Sequence, residues 1–227
     1  MKLSKLIIGF LFGNNCAACG EPLVRGEEFL CLHCLSRTPT DTPAEESLRL
    51  TRLPRKAPIG RVLPWLQYSN SDPICSLIRD GKYNERYRNI EQLGELYAKF
   101  LARQSGYGGV DALVPVPMHW LKRWGRRYNQ ARVLAESISK VSGIPVLDCL
   151  TATKGHHTQT RQTGERRLEN IRDSMKFDSA KDVKGLHVAL VDDILTTGAT
   201  LSEAIKTLQR EANPAKISVF TLAYTPF

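Results

Sequence analysis

The feature that most restricts the fold of this chain is the stretch 186–200, which reads Leu-His-Val-Ala-Leu-Val-Asp-Asp-Ile-Leu-Thr-Thr-Gly-Ala-Thr. The apolar run 186–191 fits a strand covered on both faces. It ends on two carboxylates, Asp192 and Asp193, and leads through a turn of small residues into a helix carrying Leu201, Ala204, Ile205 and Leu208 at helical spacing. Similar units precede and follow it. Short apolar stretches at 63–68, 111–117, 144–147, 175–177 and 216–223 read as strands. Residue 72 opens a helical region that runs to 103 with a break near Gly81, and its apolar positions are Leu77, Ile78, Ile90, Leu93, Leu96, Tyr97 and Phe100. Tyr128, Ala131, Leu134, Ala135, Ile138 and Val141 mark one face of a further helix. Alternation of this kind predicts an α/β fold, a mostly parallel sheet with helices on both faces.

The turn after the 186–191 strand has the chemistry of an anion site. The first backbone N–H groups of a helix lack internal partners and point at whatever lies before the terminus, which suits a phosphate. Gly198 and Ala199 let such a group come close, and Thr196, Thr197 and Thr200 offer hydroxyl donors. The carboxylates of Asp192 and Asp193 would repel a phosphate but accept hydrogen bonds from the hydroxyls of a sugar that carries it. A capped strand-to-helix turn is the bland alternative. A Walker-type loop is excluded because no Gly-Lys-Ser/Thr follows the glycine. Residues 191–200 resemble the phosphoribosyl pyrophosphate (PRPP) signature of type I phosphoribosyltransferases. That resemblance implies ribose contacts for Asp192 and Asp193, 5′-phosphate contacts for residues 196–200, and Mg2+ held mainly by oxygens of the PRPP.

Near the N-terminus, Cys16-x-x-Cys19 and Cys31-x-x-Cys34 form two close pairs eleven residues apart. Four thiolates so arranged suit a tetrahedral ion, and Zn2+ is the expected one. With all four positions filled by sulfur the ion would be structural. A disulfide framework is the alternative, and a cytoplasmic setting disfavours it. His33 could replace one cysteine, while Cys75 and Cys149 sit in apolar company and are expected in the core. A polar segment at 37–58, with four prolines and no apolar period, reads as a linker between this module and the rest.

Charge is concentrated. Residues 122–172 hold eleven Lys/Arg against four Asp/Glu, in a chain whose formal net charge is +9. Such a concentration calls for an anionic partner, a phosphorylated small molecule or a nucleic acid, unless it is only a solvated helix face. Val116 and Pro117 end a strand, and Arg123, Arg126, Arg127, Asn129 and Gln130 follow on the way into the next helix. Turns at strand ends line the ligand crevice of open α/β sheets, so these residues are candidates for pyrophosphate or DNA contacts. The polar loop 151–170 adds Arg161, Arg167 and Asn170 and reads as a mobile lid. Trp120, Trp124 and Tyr128 are interleaved with the cations, as base-stacking residues would be, though core packing accounts for them equally well.

The four-cysteine module, Val-Pro-Val-Pro at 114–117, the Arg-x-Tyr-Asn-Gln element at 126–130, the Thr-Gln-Thr…Arg-x-x-Asn loop and the Val-Asp-Asp…Thr-Thr-Gly-Ala-Thr run together resemble the ComF (ComFC) family. Arg127 stands where that family has glycine, and Phe12-Gly13 where it often has Phe-Pro. The resemblance implies an N-terminal helix and zinc finger over 1–36, a linker over 37–58, and a type I phosphoribosyltransferase-like domain over 59–227. It also implies PRPP binding linked to the handling of single-stranded DNA in natural transformation, beside a helicase-like competence partner. The alternative is an active phosphoribosyltransferase that releases pyrophosphate to an unidentified base or other nucleophile. A PRPP-sensing regulator is disfavoured, because the cysteine module does not look like a helix-turn-helix reader. Lys2 and Lys5 before the apolar run 6–12 imitate a secretory signal, but the run is far short of the ~20 residues a span needs. A cytoplasmic protein with no membrane span is expected.

Overall fold

The computed structural model describes residues 15–40, 46–81, 87–118, 128–153 and 174–226. In chain order its elements are α1 (Leu32–Arg37), α2 (Glu46–Leu50), β1 (Ile59–Gln67), α3 (Pro73–Asp80), α4 (Tyr87–Ser105), β2 (Ala112–Pro115), α5 (Gln130–Ser142), β3 (Leu150–Ala152), β4 (Met175–Phe177), β5 (His187–Leu195), α6 (Ala199–Glu211) and β6 (Lys216–Tyr224). β1, β6, β5 and β2 pair in that order, all parallel, while β3 and β4 form a separate antiparallel pair. No described helix is long and apolar enough to cross a membrane.

Side chains of a strand alternate between its faces, and both faces of this sheet are covered. Leu63, Leu113, Ala189, Val191, Phe220 and Leu222 pack with Ile78, Leu93, Tyr97, Leu134 and Ile138 of α3, α4 and α5. On the other side Val114, Val188, Leu190 and Val219 meet Leu201, Ala204, Ile205 and Leu208 of α6, together with Leu150 and Met175 of the β3–β4 pair. Each fully buried aliphatic side chain contributes ~1.5–3 kcal/mol relative to exposure. Helix ends follow local chemistry. The Asp72 carboxylate accepts from the N–H groups of Ile74 and Cys75 at 2.8 and 3.0 Å, with Pro73 in the first turn of α3.

Four expectations change in detail. Residues 144–147 do not form a full strand. They make a single parallel bridge, Val146 to Leu113, beside β2. Pro145 has no N–H to extend a ladder, although its carbonyl still accepts from Leu113 at 2.9 Å. β1 begins at Ile59 rather than 63, and β5 continues past the aspartates to Leu195. On α5 the stripe Ala131, Leu134, Ala135 and Ile138 is buried, whereas Tyr128 precedes the helix and Val141, in its last turn, is 40% exposed.

The described residues of the 37–58 segment, 37–40 and 46–58, are packed onto the rest of the molecule. The Pro39 carbonyl accepts from Gln67 N–H at 2.9 Å and Thr40 bridges Leu66, so the cysteine module adjoins the outer edge of β1. Cys16, Leu30, Cys31 and Cys34 belong to the same apolar cluster as Leu63, Trp65 and Leu66. Farther on, Leu53 is buried, and the Arg49 guanidinium lies 5.1 Å from the centre of the Tyr224 ring.

Candidate functional site

From β2 the chain goes through α5 to the bridge at Val146, on the outer side of β2, whereas β5 leads through α6 to β6 on the other side. The two connections depart in opposite directions, so the switch point of the sheet lies at the C-terminal ends of β2 and β5, the place where open α/β sheets form their ligand crevice. Residues 196–198 form one wall. Gly198 is buried at φ 75° and serves as the N-cap of α6, with Thr197 Oγ1 accepting from Ala199 N–H at 3.4 Å. A left-handed residue is required there, and there is no room for a side chain: a Cβ on Gly198 would lie 2.5 Å from the Arg52 carbonyl oxygen. Thr196, Thr197 and Thr200 are exposed, and Ala199 is half-buried.

Asp192 and Asp193 are half-buried and lie within β5, Asp192 in register with Thr221 of β6. One oxygen of each already accepts from the following backbone N–H, Asp193 onto Asp192 and Ile194 onto Asp193, both at 2.8 Å. These bonds fix the carboxylates, and an ionised carboxylate has about four acceptor sites in all. The opposite wall is the end of β2. Val116 is buried, its N–H donates to Val191 O at 2.9 Å, and its carbonyl accepts from Asn129 Nδ2 at 3.0 Å. Asn129 also caps α5 by accepting from Ala131 N–H at 3.1 Å. Gln130 is buried with Nε2 3.5 Å from Ile78 O. Both amides are therefore engaged by the fold itself, a different situation from the open donors the sequence pattern suggests. Pro117 is half-buried after Val116. Tyr128 donates to Gly81 O and meets the Tyr87 ring edge-on at 6.2 Å, so it is a packed residue in this structure. Trp120, Arg123, Trp124, Arg126, Arg127, Arg161, Arg167 and Asn170 lie outside the described residues.

One residue at this site carries no signal in the sequence reading. Arg52 reaches from the segment after α2 to the far side of the 196–198 turn. Its Nη1 donates to Thr196 O at 2.6 Å and its Nη2 to Thr225 O at 2.7 Å, while its own carbonyl accepts from Ser202 Oγ at 3.2 Å. It is one of several cations in a polar, proline-containing stretch, with no periodicity or motif to mark it.

The second centre is the cysteine module. The Sγ atoms of Cys16, Cys19, Cys31 and Cys34 all lie within 4.8 Å of one another, with Cys16 to Cys34 at 3.9 Å and Cys19 to Cys31 at 3.8 Å. A tetrahedral ion ~2.3 Å from each sulfur requires sulfurs about 3.8 Å apart, so the donor set fits zinc. Burial pushes the Cys16 thiol up, but backbone hydrogen bonds from Cys31, Cys19 and Ala18 outweigh it and bring its pKa down to about 6. Such N–H groups offset the charge of a thiolate ligand. Burial and the neighbouring sulfurs hold Cys34 well above its ordinary range. His33 is exposed, 3.4 Å from Arg37 Nη1. Cys75 and Cys149 are buried in the core, as their sequence context predicts, and burial pushes each thiol up to about 11.

Comparison with known proteins agrees with this architecture. The phosphoribosyl transferase domain model matches residues 129–226. Competence protein F of Haemophilus influenzae is 31% identical over 157 residues, covering 67% of this chain and 68% of that protein. The chain belongs to the ComF family. Also similar to this ComF-family chain are DNA utilization protein YhgH of Escherichia coli K12, 27% identical over 92% of this chain and 96% of its own length, and Competence protein ComFC of Bacillus subtilis, 31% identical over 48% and 43%. The solved structure of the allosteric regulatory enzyme of purine biosynthesis is a distant likeness, at TM-score 0.41 and 20% identity over 60% of this chain and 26% of that one. In this ComF member the matched domain starts at Asn129, the cap of α5, and takes in α6 and both central strands.

Proposed function

We propose that this ComF-family chain binds PRPP, with Mg2+ on the oxygens of that ligand, and handles single-stranded DNA during natural transformation in the cytoplasm, beside a helicase-like competence partner. The observation that carries the reading is the turn 196–198 at the C-terminal end of β5, where left-handed Gly198 opens α6 onto the crevice and two fixed carboxylates stand beside it. The helix terminus and the hydroxyls of Thr196, Thr197 and Thr200 suit the 5′-phosphate, and Asp192 and Asp193 suit the ribose diol. Val116 and Pro117 face the crevice from β2, where the pyrophosphate would lie. Asn129 acts there by holding the Val116 carbonyl, and Gln130 by anchoring α5 to α3. Arg123, Arg126, Arg127, Arg161, Arg167 and Asn170 are the proposed donors to pyrophosphate or DNA phosphates. The names of the H. influenzae and E. coli relatives, competence and DNA utilization, support a role in DNA uptake or use. The four-sulfur centre would hold a structural Zn2+ with no open position.

Two titrations test this. Calorimetry with PRPP and Mg2+ is expected to show binding that disappears when Asp192 and Asp193 are both alanine, and unchanged heat in that variant would count against the site. Affinity for labelled single-stranded DNA should fall steeply with salt, because cations on a nucleic-acid backbone release counterions. Salt-independent binding would remove the DNA reading. Catalysis is a second reading, supported by the placement of the phosphate turn and the Val116 turn on one crevice. It predicts pyrophosphate release from PRPP and Mg2+ with at least one of a panel of bases.

A further inference from the structure

The geometry points to Arg52 as the positioning residue of the phosphate turn, a role that rests on the PRPP reading above. The guanidinium fork spans two strand ends, donating through Nη1 to Thr196 O at 2.6 Å and, more distantly, to Leu195 O at 3.4 Å, and through Nη2 to Thr225 O at 2.7 Å. All described peptides are trans. In a planar trans peptide the C=O and the following N–H point in opposite directions. A Thr196 carbonyl held toward Arg52 therefore turns the Thr197 N–H away from it, to the crevice side, where a phosphate oxygen would sit.

The main chain of Arg52 completes the grip. Its carbonyl accepts from Ser202 Oγ in the first turn of α6, and Gly198 passes so close that a Cβ there would lie 2.5 Å from the same carbonyl oxygen. Arg52 is itself held on both sides, by Leu53 in the core and by Arg49 against Tyr224. A single Lys ammonium lacks the planar fork that meets two carbonyls at once, so charge alone does not substitute. The turn is thus set before any ligand arrives, which reduces the ordering cost of binding.

The test compares full-length, zinc-loaded wild type with Arg52→Met and Arg52→Lys, each checked for zinc content and melting temperature. Calorimetry with PRPP and Mg2+ should give at least a tenfold weaker affinity for both variants. The amide resonance of Thr197 in the ligand-free protein should shift in both, a readout that a general loss of stability would not single out. Millimolar methylguanidinium should restore part of the affinity to Arg52→Met. Wild-type binding with undiminished affinity in folded Arg52→Met overturns this inference and leaves the PRPP reading standing, and no binding by wild type overturns both. If Arg52→Met does not fold, Arg52→Lys decides, and wild-type affinity in that variant overturns the inference.

Discussion

Replacing Gly198 with alanine tests a point where backbone meets backbone with no room for a side chain. Two costs are expected. An L-residue at φ 75° carries ~1–2 kcal/mol of backbone penalty. The new Cβ would also lie 2.5 Å from Arg52 O and 2.9 Å from Arg52 Cβ, so a packed backbone must shift, as in overpacked cores, at ~1–3 kcal/mol. Gly143, the left-handed cap of α5, provides the control: its φ is 76°, and a Cβ there meets nothing within 4 Å. Gly143→Ala should therefore show the backbone cost alone, and Gly198→Ala should be less stable than it by a further ~1–3 kcal/mol. Urea unfolding of both variants at one pH, with slopes compared to exclude a change in the denatured state, measures the difference. Equal destabilisation of the two variants would refute the argument that Arg52 presses on the turn.

Two further outcomes are expected. Thiol titration of folded, metal-stripped protein should leave Cys75 and Cys149 slow, because burial raises each to about 11; fast reaction of all six cysteines before unfolding would contradict that burial. His187 is lowered by burial, and the Gly109 carbonyl only partly offsets this. The unfolded chain then takes up a proton first as pH falls, so stability present above the ordinary imidazole range is lost from about pH 6.5 down to the depressed folded value. The urea midpoint should fall over that window in wild type and fall less in His187→Gln, and parallel profiles would discount the effect.

What the sequence discloses and what it hides have physical causes. The strand at 186–191 is legible because both its faces are buried, and α6 because its apolar residues recur on one face. The cysteine pairs are legible because two ligands three residues apart are brought together by a local turn. β5 runs on through Asp192 and Asp193 because the ladder with β6 needs only backbone groups, and polar side chains at a crevice do not interrupt it. Residues 37–58 read as a linker in the sequence because the anchoring of their described part is not periodic. One leucine, one cation over a ring and one guanidinium on carbonyls 144 and 173 residues away leave no local pattern. The sequence presents Asn129 and Gln130 as candidate ligand donors; their structural partners, the Val116 carbonyl, Ala131 N–H and Ile78 carbonyl, leave no trace in it because only the folded backbone fixes them.

The way the cysteine module meets β1 has a consequence for handling the protein. β1 is the last strand on its side of the sheet. It contains Pro64, which cannot donate to a neighbour, and farther along Pro39 and Thr40 lie against Leu66 and Gln67 while Glu46 Oε1 takes the Val62 N–H. A bare strand margin invites pairing with another molecule. An ion held by the four sulfurs, as proposed, would brace the flap that shields this margin, so if the cluster binds zinc, removing it with a chelator should show first as self-association at concentrations the untreated protein tolerates.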